Sequence, residues 1–127
     1  MSFKKKELPM LSVITPNFND GATIEKQVDS IMSQDWDNIE QIIVDDGSTD
    51  GSKEILEKLE NKYDKLKVLY LDKNQGACVA RNLGASHAKG KYLSFLPADA
   101  VLYPGVARTW VTFLEENPDY DFLYGRY

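Results

Sequence analysis

A lone cysteine, Cys78, stands in this chain of 127 residues, so no intramolecular disulfide can form, which fits a reducing compartment. No apolar run approaches the ~20 residues of a membrane span, and no signal-peptide core is present. Without export signals the chain is expected in the cytoplasm. Positive charge is scarce too: 15 Lys and Arg face 20 Asp and Glu, a formal net charge of −5. That balance argues against nucleic acid as a partner, because such binding runs on clustered basic residues. Lys4, Lys5 and Lys6 could touch anionic lipid, but beside Glu7 they read as a solvated end, so peripheral membrane contact has little support. Internal repeats and low-complexity tracts are absent. What is present suits one soluble domain over residues 1–127, long enough to bury a core without staples.

Short buried runs alternate with helical periodicity. "MLSVIT" (10–15) predicts a strand that stops at Pro16, and "IEQIIV" (39–44), "KVLYL" (67–71), "KYLSFLP" (91–97) and "DFLYG" (121–125) predict four more. Between them, stripes at i, i+3 or i+4 spacing predict four helices. The first carries Ile24, Val28, Ile31 and Met32; the second, capped by Ser52, carries Ile55, Leu56, Leu59 and Tyr63. The third, after Gly76, carries Val79, Leu83 and His87, with Cys78 and His87 read as packing residues. The fourth carries Val106, Trp110, Phe113 and Leu114. Such alternation implies an α/β fold with a mostly parallel sheet.

Unusual residues collect where the strands end. "TPNFND" follows the first strand, "DDGSTDG" the second and "PADA" the fourth. In open α/β sheets, ligands bind beyond the carboxyl ends of the strands. A dinucleotide site would need glycines directly after the first strand, where Pro16 and Phe18 stand instead, and no GxxxxGK[ST] loop exists. A phospho-acceptor receiver would need its acidic pair on the first strand and a Lys on the fifth; the pair here follows the second, and "DFLYG" has no Lys. A nucleoside-diphosphate site with a divalent metal fits better. Mg²⁺ and Mn²⁺ are commonly held by one or two carboxylates plus phosphate oxygens. Asp99 could serve the metal while Asp46 bonds a base or ribose.

The segments "LSVITPNFND", "IIVDDGSTDGS", "NQGACVARNLGASHAKGKYLSFLPADA" and "DFLYG" occur in the order and spacing that resemble the nucleotide-binding half of family 2 glycosyltransferases. That resemblance implies the GT-A fold, a three-layer α/β/α arrangement around a Rossmann-like sheet. It implies that Thr15, Pro16 and Phe18 line the base pocket, Phe18 standing where the family usually has Tyr. Asp46 would accept a hydrogen bond from the base while Asp45 braces the loop. Gly76 would permit close backbone approach, and Arg81 would face the nucleotide or the surface. Ala98 and Asp99 match the end of the family's Asp-x-Asp, with Asp99 the metal ligand for Mg²⁺ or Mn²⁺; the first acid of that motif is here Pro97.

The implied activity is inverting glycosyl transfer from a nucleoside-diphosphate sugar, with uridine the expected base, to a saccharide or lipid-linked saccharide. The family's acceptor-binding half, which carries the catalytic base, is expected to be absent. Asp119 and Asp121 lie at the wrong end of the predicted fifth strand to replace that base. A binding or assembly module without turnover is therefore the alternative, and an uncovered apolar edge would admit a homodimer.

Overall fold

The computed structural model describes residues 8–124, so Lys4, Lys5 and Lys6, and Gly125 of the predicted fifth strand, lie outside the described residues. Four strands, β1 (Leu11–Asn17), β2 (Ile39–Asp46), β3 (Leu66–Leu71) and β4 (Tyr92–Phe95), alternate with four helices, α1 (Ile24–Met32), α2 (Ser52–Lys62), α3 (Ala77–His87) and α4 (Val106–Glu116). The strands form one parallel sheet in the order β3-β2-β1-β4. The chain steps outward from β1 to β3, then crosses back over β2 and β1 to place β4. Crossovers of one hand require the helix of a reversed step to lie on the opposite face. Accordingly α1, α2 and α4 cover one face and α3 the other, giving three layers.

The core divides by strand parity, since successive side chains point to opposite faces. Leu11, Val13, Ile39 and Ile43 face α1, α2 and α4, while Ile42 and Val44 face α3. Both middle strands are buried on both sides, which explains the unbroken apolar run of β2. On α1, Ile24, Val28 and Ile31 are buried, as the spacing predicts. Trp36 anchors the far end of this layer, its indole N–H donating to the Pro9 carbonyl at 3.1 Å. The segment from Leu96 to Gly105 forms no regular element, yet it is tied to α1: Ser30 Oγ accepts from the Leu102 N–H at 3.1 Å, and the Gln34 amide donates to the Tyr103 carbonyl at 3.0 Å. Gln34 Oε1 also accepts from the Ala107 N–H at 3.1 Å, satisfying a free donor in the first turn of α4.

Four expectations need correction. β1 does not stop at Pro16 but runs to Asn17. Leu11 donates toward β2 and Ile14 accepts from Leu96 beside β4, so even-numbered residues of β1 aim their polar groups at β4. The N–H that Pro16 lacks would point where pairing with β4 has already ended, and nothing is lost. Second, residues 121–124 form no strand, so the described residues hold no fifth one. Third, α3 buries Ala80 and Gly84, while Val79, Cys78 and His87 are exposed. A Cβ on Gly84 would stand 2.6 Å from Ile14 Cγ2, so this helix lies too close to the sheet for a larger residue. Fourth, α4 buries Ala107 and Val111 most deeply, with Val106 and Trp110 of the predicted stripe packed partly buried against the core and Phe113 41 % exposed.

Gly84→Ala sets two effects against each other. Helix propensity favours Ala by about 1 kcal/mol, but overpacking of a filled interface costs about 1–3 kcal/mol. The variant is expected to melt below the wild type in a thermal unfolding scan. A higher melting temperature would mean that α3 can shift off the sheet freely.

Candidate functional site

Because every strand is parallel, the ends of β1, β2 and β4 share one rim, and the strand order changes direction between β1 and β4 there. Ligands of open α/β sheets bind beyond the carboxyl ends of the strands at such a point. Here α1 and α4, which follow β1 and β4, both lie on one face, and α3 lies on the other. The end of β1 lies in the middle of this rim, with Asp46 of β2 on one side and the turn bearing Asp99 after β4 on the other. A hollow of about 360 Å³ lies at the opposite rim, among Met10, Asn38, Glu40, Lys65 and His87, away from all three polar segments.

The adjacent acids of β2 are nearly inaccessible, Asp45 at 0 % and Asp46 at 2 % exposure. Buried carboxylates must find donors, and strand parity sends these two to opposite faces. Asp45 accepts from Asn17 Nδ2 at 2.9 Å and from the Ser48 N–H at 3.1 Å, which folds the turn back onto the strand. Asp46 points to the α3 side, where its two oxygens accept from the Gln75 N–H at 2.7 Å and the Gly76 N–H at 3.0 Å. One carboxylate thus closes its own turn, and the other fixes the loop that starts α3. Gly47 makes this approach feasible: its φ is +74°, and a Cβ there would stand 2.7 Å from the Asn74 nitrogen. At Gly76 a φ of +96° favours glycine, while the space beside its Cα is open.

A second set of bonds clasps the loops after β1 and β2. Asn19, at φ +56°, donates its N–H to Ser48 Oγ at 2.9 Å and accepts from the Thr49 N–H at 2.8 Å. Asn is among the residues that tolerate this conformation. Asp50 accepts from the Gly21 N–H at 3.0 Å and from the Ser52 N–H at 3.0 Å, so Asp50 rather than Ser52 supplies the side-chain oxygen at the start of α2. The Ser52 hydroxyl, followed by burial acting the other way and the backbone bonds, leaves the Asp50 carboxyl below its ordinary 3.8. A lowered value means that these bonds add stability above the ordinary carboxylate range and lose it as pH falls through the lowered one.

Thr15 is turned inward. Its Oγ1 accepts from Gln27 Nε2 at 2.9 Å and Gln41 Nε2 at 3.1 Å, and all three residues are fully buried. Pro16 is half-buried, and Phe18 stands 45 % exposed at the rim. Ala98 is buried and its carbonyl accepts from Thr23 Oγ1 at 3.1 Å, which leaves Asp99 exposed at the tip of the turn. Arg81 is exposed on α3, with no hydrogen bond or ion pair among the described residues. No group of three or more His, Cys, Asp or Glu is gathered for a metal among the described residues. Asp99 alone is a hard oxygen donor suited to Mg²⁺ or Mn²⁺, with phosphate oxygens completing the set.

Sequence reading missed Asn17, Ser48, Gln27 and Gln41. The signal for the glutamines was available: Gln27 lies on the apolar stripe of α1, between Ile24 and Ile31, and Gln41 interrupts the apolar run of β2. A polar residue at a buried position implies a partner.

The Glycosyl transferase family 2 model matches residues 12–127. The chain is 45% identical over 91 residues to the putative teichuronic acid biosynthesis glycosyltransferase TuaG of Bacillus subtilis, covering 72% of this chain and 36% of that protein. TarS of S. aureus matches in structure with a TM-score of 0.79 at 31% identity, over 86% of this chain and 33% of that one, and has also been solved with UDP and with UDP-GlcNAc. The mannosyltransferase PcManGT of Pyrobaculum calidifontis, in complex with GDP-Man and Mn²⁺, matches with a TM-score of 0.79 at 27% identity, over 87% of this chain and 33% of that one. The chain therefore spans about a third of the length of the relatives it matches.

The bond pattern around Asp46 yields a stability test. An amide keeps the shape but offers one acceptor where two N–H donors converge, so Asp46→Asn is expected to cost about 1.5–3 kcal/mol. The measurement is a lower urea midpoint at unchanged m value. An unchanged midpoint would mean that the start of α3 does not depend on this carboxylate.

Proposed function

Since the chain belongs to glycosyl transferase family 2, we propose that it is the donor-binding portion of a glycosyltransferase that takes a UDP-sugar with Mg²⁺ or Mn²⁺. The observation that carries this reading is the shared rim: exposed Phe18 and exposed Asp99 flank the point where strand order reverses, with Asp46 anchoring the loop beside it. The complexes of TarS with UDP and UDP-GlcNAc, and of the mannosyltransferase with GDP-Man and Mn²⁺, support the ligand class.

In this reading the ring of Phe18 stacks on the base. Asp46, bonded through both oxygens and 2 % exposed, holds the Gln75–Gly76 backbone beside the base. Open space beside Gly76 lets backbone approach the nucleotide, and Arg81 gives the diphosphate a nearby positive charge. Asp99 would hold the cation together with the diphosphate oxygens. Bound there, a divalent cation supplies charge neutralisation for the departing diphosphate. The residues of this rim fix the donor in place, which converts a bimolecular encounter into an oriented one. The acceptor, in the same reading, is a saccharide or lipid-linked saccharide hydroxyl.

A second reading, donor binding without turnover, has one observation in its favour: Pro97 stands where the family's first Asp would. Transfer or hydrolysis of a donor sugar by the chain separates the two.

UDP with Mn²⁺ at a hundredfold excess over Kd should stabilise the fold by about 2.7 kcal/mol, a rise of several degrees in melting temperature. Asp99→Ala should remove the metal-dependent part, and Phe18→Ala the larger share of the nucleotide-dependent part. Both side chains are exposed, so neither variant should unfold the chain. No shift with any nucleoside diphosphate, metal present, would sink the reading.

A further inference from the structure

The turn that carries Asp99 lies in a segment without regular structure, so its position has to come from outside. It comes from α1 and its flanks. Thr23, Gln27, Ser30 and Gln34 recur at helical spacing and all bond backbone of the segment that follows β4. Thr23 donates to the Ala98 carbonyl at 3.1 Å, and Gln27 to the Pro97 carbonyl at 3.0 Å. Ser30 accepts from Leu102, and Gln34 bonds Tyr103 and Ala107. One face of the helix thus acts as a polar track beside its apolar stripe.

The orientation of Gln27 is forced, as is that of Gln34. A carbonyl can only accept, so the amide nitrogen of Gln27 must face Pro97 and its oxygen must face inward. That oxygen accepts from Gln41 Nε2 at 2.7 Å, which fixes the second amide in turn. Both nitrogens then converge on Thr15 Oγ1. The links among Thr15, Gln27 and Gln41 are fully buried and the one to Pro97 partly so, and a chain of bonds in a low-dielectric interior is strong and unforgiving. The Pro97 carbonyl at its outer end also accepts from the Ala100 N–H at 3.1 Å, the bond that closes the turn around Asp99.

We propose that Gln27 is a positioning residue for Asp99: it fixes the turn against β1 and β2 through the Thr15–Gln41 network and so sets where a cation can be held. The inference rests on the donor-binding reading for its metal-dependent consequence, while the tether itself can be tested without ligand. Gln27→Met keeps the length and removes the amide. In this variant the Ala100 amide should exchange about tenfold faster, the worth of one hydrogen bond. Val68, on β3 at the far edge, should keep its wild-type protection. The gain in UDP affinity on adding Mn²⁺, measured by calorimetry, should fall by roughly the same factor, while UDP affinity without metal stays put.

Gln34→Met is the control for general destabilisation. It cuts the track far from Pro97, and should lower the melting temperature without touching Ala100 exchange or the Mn²⁺-dependent gain. Unchanged Ala100 exchange in Gln27→Met would overturn the proposal. So would faster exchange with the Mn²⁺ gain intact, or equal effects from Gln34→Met. If the wild type shows no Mn²⁺ gain with UDP, the donor reading falls, and the proposal is decided by Ala100 exchange alone.

Discussion

Two carboxylates at the end of a buried strand are the constraint from which the rim follows. Asp45 and Asp46 are adjacent in sequence, and side by side in one cavity they would repel and desolvate each other. Alternation along the strand separates them, one to each face of the sheet. Each then recruits donors from a different loop. Asp45 draws in Asn17 and the turn at Ser48, and Asp46 draws in the backbone at Gln75 and Gly76. The same pair therefore binds the end of β2 to β1 on one face and to the start of α3 on the other. Loops that could wander are held by charge that has no better place to go.

The third wall of the rim is built by different means. Among the described residues no buried charge reaches the turn at Pro97 and Ala98; the Thr23 hydroxyl before α1 and the Gln27 amide on it do. Parallel pairing aligns the strand ends at one rim, and the strand order reverses there. The hydrogen bonds then set each loop at its edge. Fold and site are in this sense separate achievements of the sequence. The first needs apolar runs with the correct parity, and the second needs a few polar residues in positions where an apolar one would have served stability.

That division decides what could be read in advance. The alternation of apolar runs and helical stripes specified the element order and the parallel sheet, because burial on both faces leaves a clear trace. Phe18, Asp46 and Asp99 could be assigned to one rim since each follows a strand of the same direction. The burial of α3 could not be read so simply. Val79 and His87 keep helical spacing, yet Ala80 and Gly84 face the sheet, because the distance between helix and sheet is set by Ile14 and leaves no volume for larger groups. Pro16 looked like a stop, and only the direction of its missing donor shows why the strand passes through it. The "DFLYG" segment has strand composition, but composition does not supply a partner, and residues 121–124 have none in the sheet. Gln27 and Gln41 were visible as polar breaks in apolar patterns, but what they bond lies 70 residues away for Gln27.

The two styles of fastening imply unequal sensitivity to the medium. The link from Gln27 to Pro97 contains no group that gains or loses a proton near neutrality. The clasp between the first two loops ends at the exposed Asp50, whose carboxyl stays ionised somewhat below its ordinary range and then lets go of Gly21 and Ser52. Acidification should therefore weaken the bonds of Asp50 to Gly21 and Ser52, while Asn19 still clasps Ser48 and Thr49 and the tie from Gln27 to Pro97 is untouched.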